Sequence, residues 1–128
     1  MKTLLAVLAL LAPLTTVAPT DEPLALTDDL VGTWQVDLRP TPDAEPYYQE
    51  LIISSVADGA LAGVFYGSAV QFGRVSLGQD GVVFAFVTMD RSSRYVTTGR
   101  LVDGRLEGVT YSPDRDLLQS WQAERSGE

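Results

Sequence analysis

The chain has 128 residues, with Lys+Arg 9, Asp+Glu 17 and neither His nor Cys, for a formal charge of −8. The length suits one domain, and an apolar share of 45% suits a packed core rather than a disordered chain. Without His or Cys there is no disulfide, no zinc site built on those residues, no thiol nucleophile and no Ser-His or Cys-His couple.

The first three residues, Met1-Lys2-Thr3, are a short basic start, followed by an apolar run from Leu4 to Ala12, then Pro13 and the stretch Thr16-Val17-Ala18. This order reads as a secretory signal over residues 1–18, cut somewhere between Ala12 and Ala25. The apolar run is too short for a spanning helix, which needs about 20 residues. The expected location is therefore secreted or periplasmic, with no stable membrane association after processing; a retained anchor is the alternative. Residues 19–29 carry Asp21, Glu22, Pro23, Asp28 and Asp29 and read as an acidic tether. Lys2 is the only lysine, so the processed protein keeps eight arginines against seventeen acids. No nucleic-acid partner is expected, because phosphate contacts need clustered Lys/Arg, and Arg91-Ser92-Ser93-Arg94 reads as a solvated hairpin tip.

Residues 30–126 read as the folded domain. Short β-branched or aromatic segments at 31–38, 47–56, 61–66, 70–77, 82–89, 95–102, 105–111 and 117–125 alternate with turn signals. Asp58-Gly59, Gly67, Asp80-Gly81 and Asp103-Gly104 are hairpin chemistry. Connections this short pair neighbours antiparallel, which predicts an all-β fold, an eight-stranded antiparallel up-and-down meander barrel. The alternative is an antiparallel β-sandwich; pairing of the first segment with the last distinguishes the two.

A two-residue turn at Asp103-Gly104 fixes a register in which Arg100 opposes Glu107, Gly99 opposes Gly108 and Thr97 opposes Thr110. The charge pair belongs with solvent, so Tyr95, Thr97, Gly99, Leu101, Leu106, Gly108 and Thr110 face inward. Opposed glycines and threonines imply either a cavity with hydroxyl handles or a bend filled from across the barrel. Segment 82–89 is apolar on both faces, and its outer strip Val83, Ala85, Val87 and Met89 suits either a second copy of the chain or incidental surface hydrophobes. Tyr47 and Tyr48 either gate the barrel mouth or pack the proline-rich loop before them.

Gly32-Thr33-Trp34, opening the first strand, resembles the Gly-x-Trp start of the lipocalin and avidin barrels, the calycin group. The resemblance implies that Trp34 closes the barrel floor and that Arg125, ending Trp121-Gln-Ala-Glu-Arg125, packs across it. Within that group the chain is most similar to avidin and streptavidin, through Gly32-Thr33-Trp34, the stretch from Asp58 to Val70, Phe84-Ala85-Phe86 with Tyr95-Val-Thr-Thr-Gly99, and Trp121 to Arg125. The resemblance further implies that Tyr66 and Ser68 match ligand-facing positions and that Trp121 matches a tryptophan lent to a neighbouring subunit. The biotin pocket is not retained, since Val36 stands where the family has an Asn donor.

The functional expectation is a non-catalytic barrel holding a small, partly apolar ligand in its lumen, without cofactor or metal. Contact residues would come from Tyr66, Ser68, Phe84, Phe86, Thr88, Tyr95, Thr97, Thr110 and Trp121, with Gly32, Trp34 and Arg125 closing the floor. A secreted protein-interaction or inhibitor module with a filled barrel, using the loop 39–46 and the tether, is the competing reading. A carboxylate-dependent hydrolase would have to draw on Asp37, Glu50, Glu107 or Glu124, and Asp114-Arg115-Asp116 lacks the regular ligand spacing of a calcium loop.

Overall fold

A computed structural model describes residues 27–79 and 81–126. The expected signal sequence and most of the expected tether lie outside the described residues. The strands are β1 (Gly32–Asp37), β2 (Tyr48–Ala57), β3 (Ala60–Phe65), β4 (Ser68–Ala69), β5 (Gln71–Gly78), β6 (Gly81–Met89), β7 (Arg94–Val102), β8 (Arg105–Ser112) and β9 (Leu117–Arg125). Hydrogen bonding runs β2-β1-β9-β8-β7-β6-β5-β3, and β2 pairs back onto β3, so eight strands close into a barrel with β4 as a two-residue stub on β3. All pairings are antiparallel, and β1 pairs with β9 from Trp34↔Arg125 to Asp37↔Gln122. That closure removes the sandwich alternative.

Local backbone chemistry sets the hairpins. Asp58 with Gly59, Tyr66 with Gly67, and Asp103 with Gly104 all have positive φ at both corner positions, the mirror-image turn whose twist matches that of the flanking strands. Tyr66, expected at the end of a strand, instead occupies the first corner of its turn with φ 55. Gly81, expected in a turn, pairs with Gly78 inside the ladder. The β7–β8 ladder runs from Val102↔Arg105 to Val96↔Tyr111 in the register that Asp103-Gly104 dictates. Its outer face carries Arg100 and Glu107 at 3.6 Å, while Thr97, Leu106 and Thr110 are buried.

The floor of the barrel is built on Trp34, which is fully buried. Its indole Nε1 donates to the Leu30 carbonyl at 2.9 Å, and the Arg125 guanidinium lies 4.4 Å from the ring centroid. Such a cation over an indole contributes about 0.5–2 kcal/mol, more as water is excluded. Arg125 also donates to the carbonyls of Val31, at 3.0 Å, and Asp29. Gly32 lets the guanidinium in: it has φ +141, and a Cβ there would stand 2.6 Å from Arg125 Nη1.

Above the floor the lumen is filled by rings. Phe84 and Phe86 stack with centroids 6.1 Å apart, Phe65 meets Phe86 edge-on at 5.8 Å, and Phe65 lies 6.3 Å from Trp121. Phe84, Gly99, Gly108 and Trp121 form one row across β6 to β9. A Cβ on Gly99 would fall 2.5 Å from Phe84 Cζ, and one on Gly108 would fall 2.2 Å from Trp121 Cζ2. The space between the opposed glycines is therefore occupied: the two rings lie over bare backbone, a cross-strand device that covers glycine with an aromatic face. The space is thus filled, though by rings on the adjacent strands β6 and β9 rather than from across the barrel.

Candidate functional site

With the floor closed and the middle filled, the remaining interior space is at the opposite end. Strand alternation directs Phe86, Thr97, Thr110 and Gln119 into one row, and Thr88 pairs with Tyr95 one step nearer the mouth. Here a pocket of about 510 Å³ opens, lined by Leu38, Tyr47, Phe65, Tyr66, Ser68, Thr88, Asp90, Tyr95, Thr110, Arg115, Leu117 and Gln119.

The pocket has an aromatic side and a charged side. Tyr47 and Tyr66 meet edge-on at 6.2 Å on one rim, while Tyr48 is drawn aside, its hydroxyl 3.3 Å from Arg39 Nη2. On the other rim the Tyr95 hydroxyl donates to Asp90 Oδ2 at 3.0 Å and accepts from Arg115 Nη1 at 3.0 Å. The Ser92 backbone N–H, then the Tyr95 hydroxyl and the Ser93 N–H, hold the Asp90 carboxyl below the usual carboxylate range. The hydrogen bond to Tyr95 raises the Arg115 guanidinium above its usual value. The rim thus carries a fixed carboxylate and a fixed guanidinium joined through one phenol.

The base of the pocket is hydroxylic. Thr97 and Thr110 hydroxyls lie 2.9 Å apart, and Trp121 Nε1 donates to Thr110 Oγ1 at 3.1 Å. Thr88 is 4% exposed, lines the same pocket, and its hydroxyl has no hydrogen-bond partner among the described residues. Gln119 is already engaged, its amide donating to the Leu38 carbonyl.

Of the residues singled out from sequence, the structure brings Tyr66, Ser68, Thr88, Tyr95 and Thr110 to the pocket wall. Phe84, Phe86, Thr97 and Trp121 are placed instead in the packed layer beneath it. The correction has a physical cause: the glycine row receives the rings that were expected to line open space. Asp90 and Arg115 were missed because they sit at a hairpin tip and in the short 3-10 turn Pro113–Arg115, where inward alternation cannot be read; Gln119 was missed although it lies two residues before Trp121 on the same strand and so shares its inward face. The acids considered for hydrolysis do not converge. Asp37 is paired with Arg39 at 2.9 Å, Glu107 faces outward, and no group of three acidic side chains able to hold a metal forms among the described residues. Asp114 accepts from the Arg94 backbone N–H at 2.7 Å.

Fold and site together define a closed up-and-down barrel with one accessible end. No family model and no curated protein matches this chain in sequence.

Proposed function

We propose that the protein is a non-catalytic binding barrel that takes a small, partly apolar ligand into its mouth pocket. The observation that carries this reading is the unpartnered Thr88 hydroxyl at the wall of a pocket that sets aromatic and aliphatic surface beside a polar rim. That hydroxyl is free to pair with a ligand donor or acceptor, a hydrogen bond worth about 0.5–1.5 kcal/mol net. Tyr47, Tyr66, Phe65 and Leu117 supply apolar area, while Thr88, Ser68 and Tyr95 supply orientation, the usual division in small-molecule sites. The Gly-x-Trp start and the Arg125 cover over Trp34 support kinship with the calycin barrels. Biotin is not the proposed ligand: Val36, at the position of the family's Asn donor, is buried in the core. Export through the leading apolar segment belongs to the same proposal.

The test is a native electrospray mass of the protein purified from its own secreting host. The expected result is a small-molecule adduct that leaves on denaturation, and a Thr88→Val variant that retains it at least tenfold less well. An apo mass, combined with no pocket amide shift on exposure to the host's metabolite extract, would overturn the reading.

A further inference from the structure

A second concavity lies outside the barrel. A groove of about 1180 Å³ crosses the outer face of β5 to β9 and ends against β1 and the loop that follows it. Two outward rows frame it: Arg74, Ala85, Thr98, Val109 and Ser120 on one side, and Ser76, Val83, Arg100, Glu107, Gln122 and Asp37 on the other. Crossing six strands at about 4.8 Å spacing, it is roughly 24 Å long, the length of about seven extended residues. Pro40 and Pro42 form its end wall, and proline's fixed φ makes that wall stiff.

The groove carries positive charge on a chain of net −8. Arg39 is matched by Asp37. Glu107 is shared by two guanidinium groups, Arg100 at 3.6 Å and Arg105 at 3.9 Å. Arg74 makes no ion pair or hydrogen bond among the described residues. The groove is also continuous with an apolar row, Val87, Val96, Tyr111 and Leu118, in which Leu118 is 74% exposed, and Phe72 beside it on β5 is 80% exposed. Contiguous apolar surface of this kind marks an interaction face. A second copy docking the same face would set the surplus arginines against each other, so the charge favours a different occupant.

We infer that this groove docks an extended segment of a partner polypeptide that carries both acidic and apolar side chains. The acidic residues meet Arg74 and Arg100, and the apolar ones meet Val83, Ala85 and Val109. A closed barrel offers no free strand edge for main-chain pairing, so recognition runs through these side chains. This site is separate from the mouth pocket and stands without it.

The experiment titrates the ¹⁵N-labelled full chain with acetyl-(Glu-Val)₄-amide, with acetyl-(Lys-Val)₄-amide as the comparison. The expected result is saturable shifts at the amides of Val83, Ala85, Thr98, Val109 and Ser120, weakened at least tenfold by Arg74→Glu with Arg100→Glu and progressively by salt. Both arginines are exposed, and Arg74→Gln alone gives a milder variant with an intact fold and a severalfold loss. Three results would each overturn the inference: equal shifts with the lysine peptide, no groove shifts at about 1 mM acidic peptide, or concentration-dependent broadening of the groove amides without peptide, which assigns the face to a second copy.

Discussion

At Gly108 a methyl group would stand 2.2 Å from Trp121 Cζ2 and 2.4 Å from the Thr98 carbonyl oxygen. Gly108→Ala is expected to cost about 2–3 kcal/mol by overpacking, more than Gly99→Ala, where the three nearest atoms all belong to the Phe84 ring; chemical denaturation of the two variants checks the order. Thr110→Val removes the acceptor of the Trp121 indole N–H and should cost about 1–3 kcal/mol, whereas Thr97→Val, which leaves that bond intact, should cost less. Ser112 gives the opposite case. It is fully buried and its Oγ has no partner, so Ser112→Ala is expected to be neutral or to stabilise by up to about 1 kcal/mol, read as an unchanged or raised denaturation midpoint. None of these signs is visible from composition: they depend on which atoms face each other across strands.

The hairpin tip between β6 and β7 and the 3-10 turn before β9 are held together by carboxylates. Asp90 gathers the N–H groups of Ser92 and Ser93 with the Tyr95 hydroxyl, and the Arg94 backbone N–H, then its guanidinium, keeps Asp114 below the usual carboxylate range. Because both carboxyls are depressed in the folded state, their contribution is present at neutral pH and is lost as pH falls through their lowered values, below about 3.9. Hydrogen exchange at Ser92, Ser93 and Arg94 should therefore stay slow, relative to the intrinsic rate, down to about pH 4 and accelerate below it. In Asp90→Asn the Ser92 and Ser93 amides should already be less protected at pH 7. At this scale the sequence was informative where chemistry is local. Asp103-Gly104 fixed a seven-pair register because two positive-φ corners leave one way to pair. It was silent on the left-handed corner at Tyr66 and on the Arg115 contact, since a tyrosine at such a corner and a guanidinium reaching 20 positions along the chain leave no periodic trace.

For the molecule as a whole, closure depends on the two strands farthest apart in sequence. Arg125 meets Val31 across 94 positions, and four ladder pairs from Trp34↔Arg125 to Asp37↔Gln122 complete the ring. A chain ended after Gln122 keeps one of those pairs and loses the cover on Trp34, so it should show no cooperative thermal transition by circular dichroism. The intact chain should fold slowly for its size, in about milliseconds to seconds, as topologies rich in distant pairs do. The fold was legible because alternation and turn residues recur along most of the chain; the pocket was half legible, because alternation names the inward face but not the depth at which it becomes occupied. Thr88 and Thr97 lie on the same inward face, yet one lines the pocket and the other is sealed beneath it.

The row in which two rings rest on two bare glycines has a consequence for what this scaffold can become. Its interior is stoppered by side chains rather than walled by backbone, and Trp121 stands beside Phe65, which itself borders the mouth. Exchanging Trp121 for a small residue would cost about 3–5 kcal/mol, but it would empty a notch that nothing else fills and turn a shallow cup into a deep well. The capacity of the vessel is thus adjustable at single positions, without altering a strand.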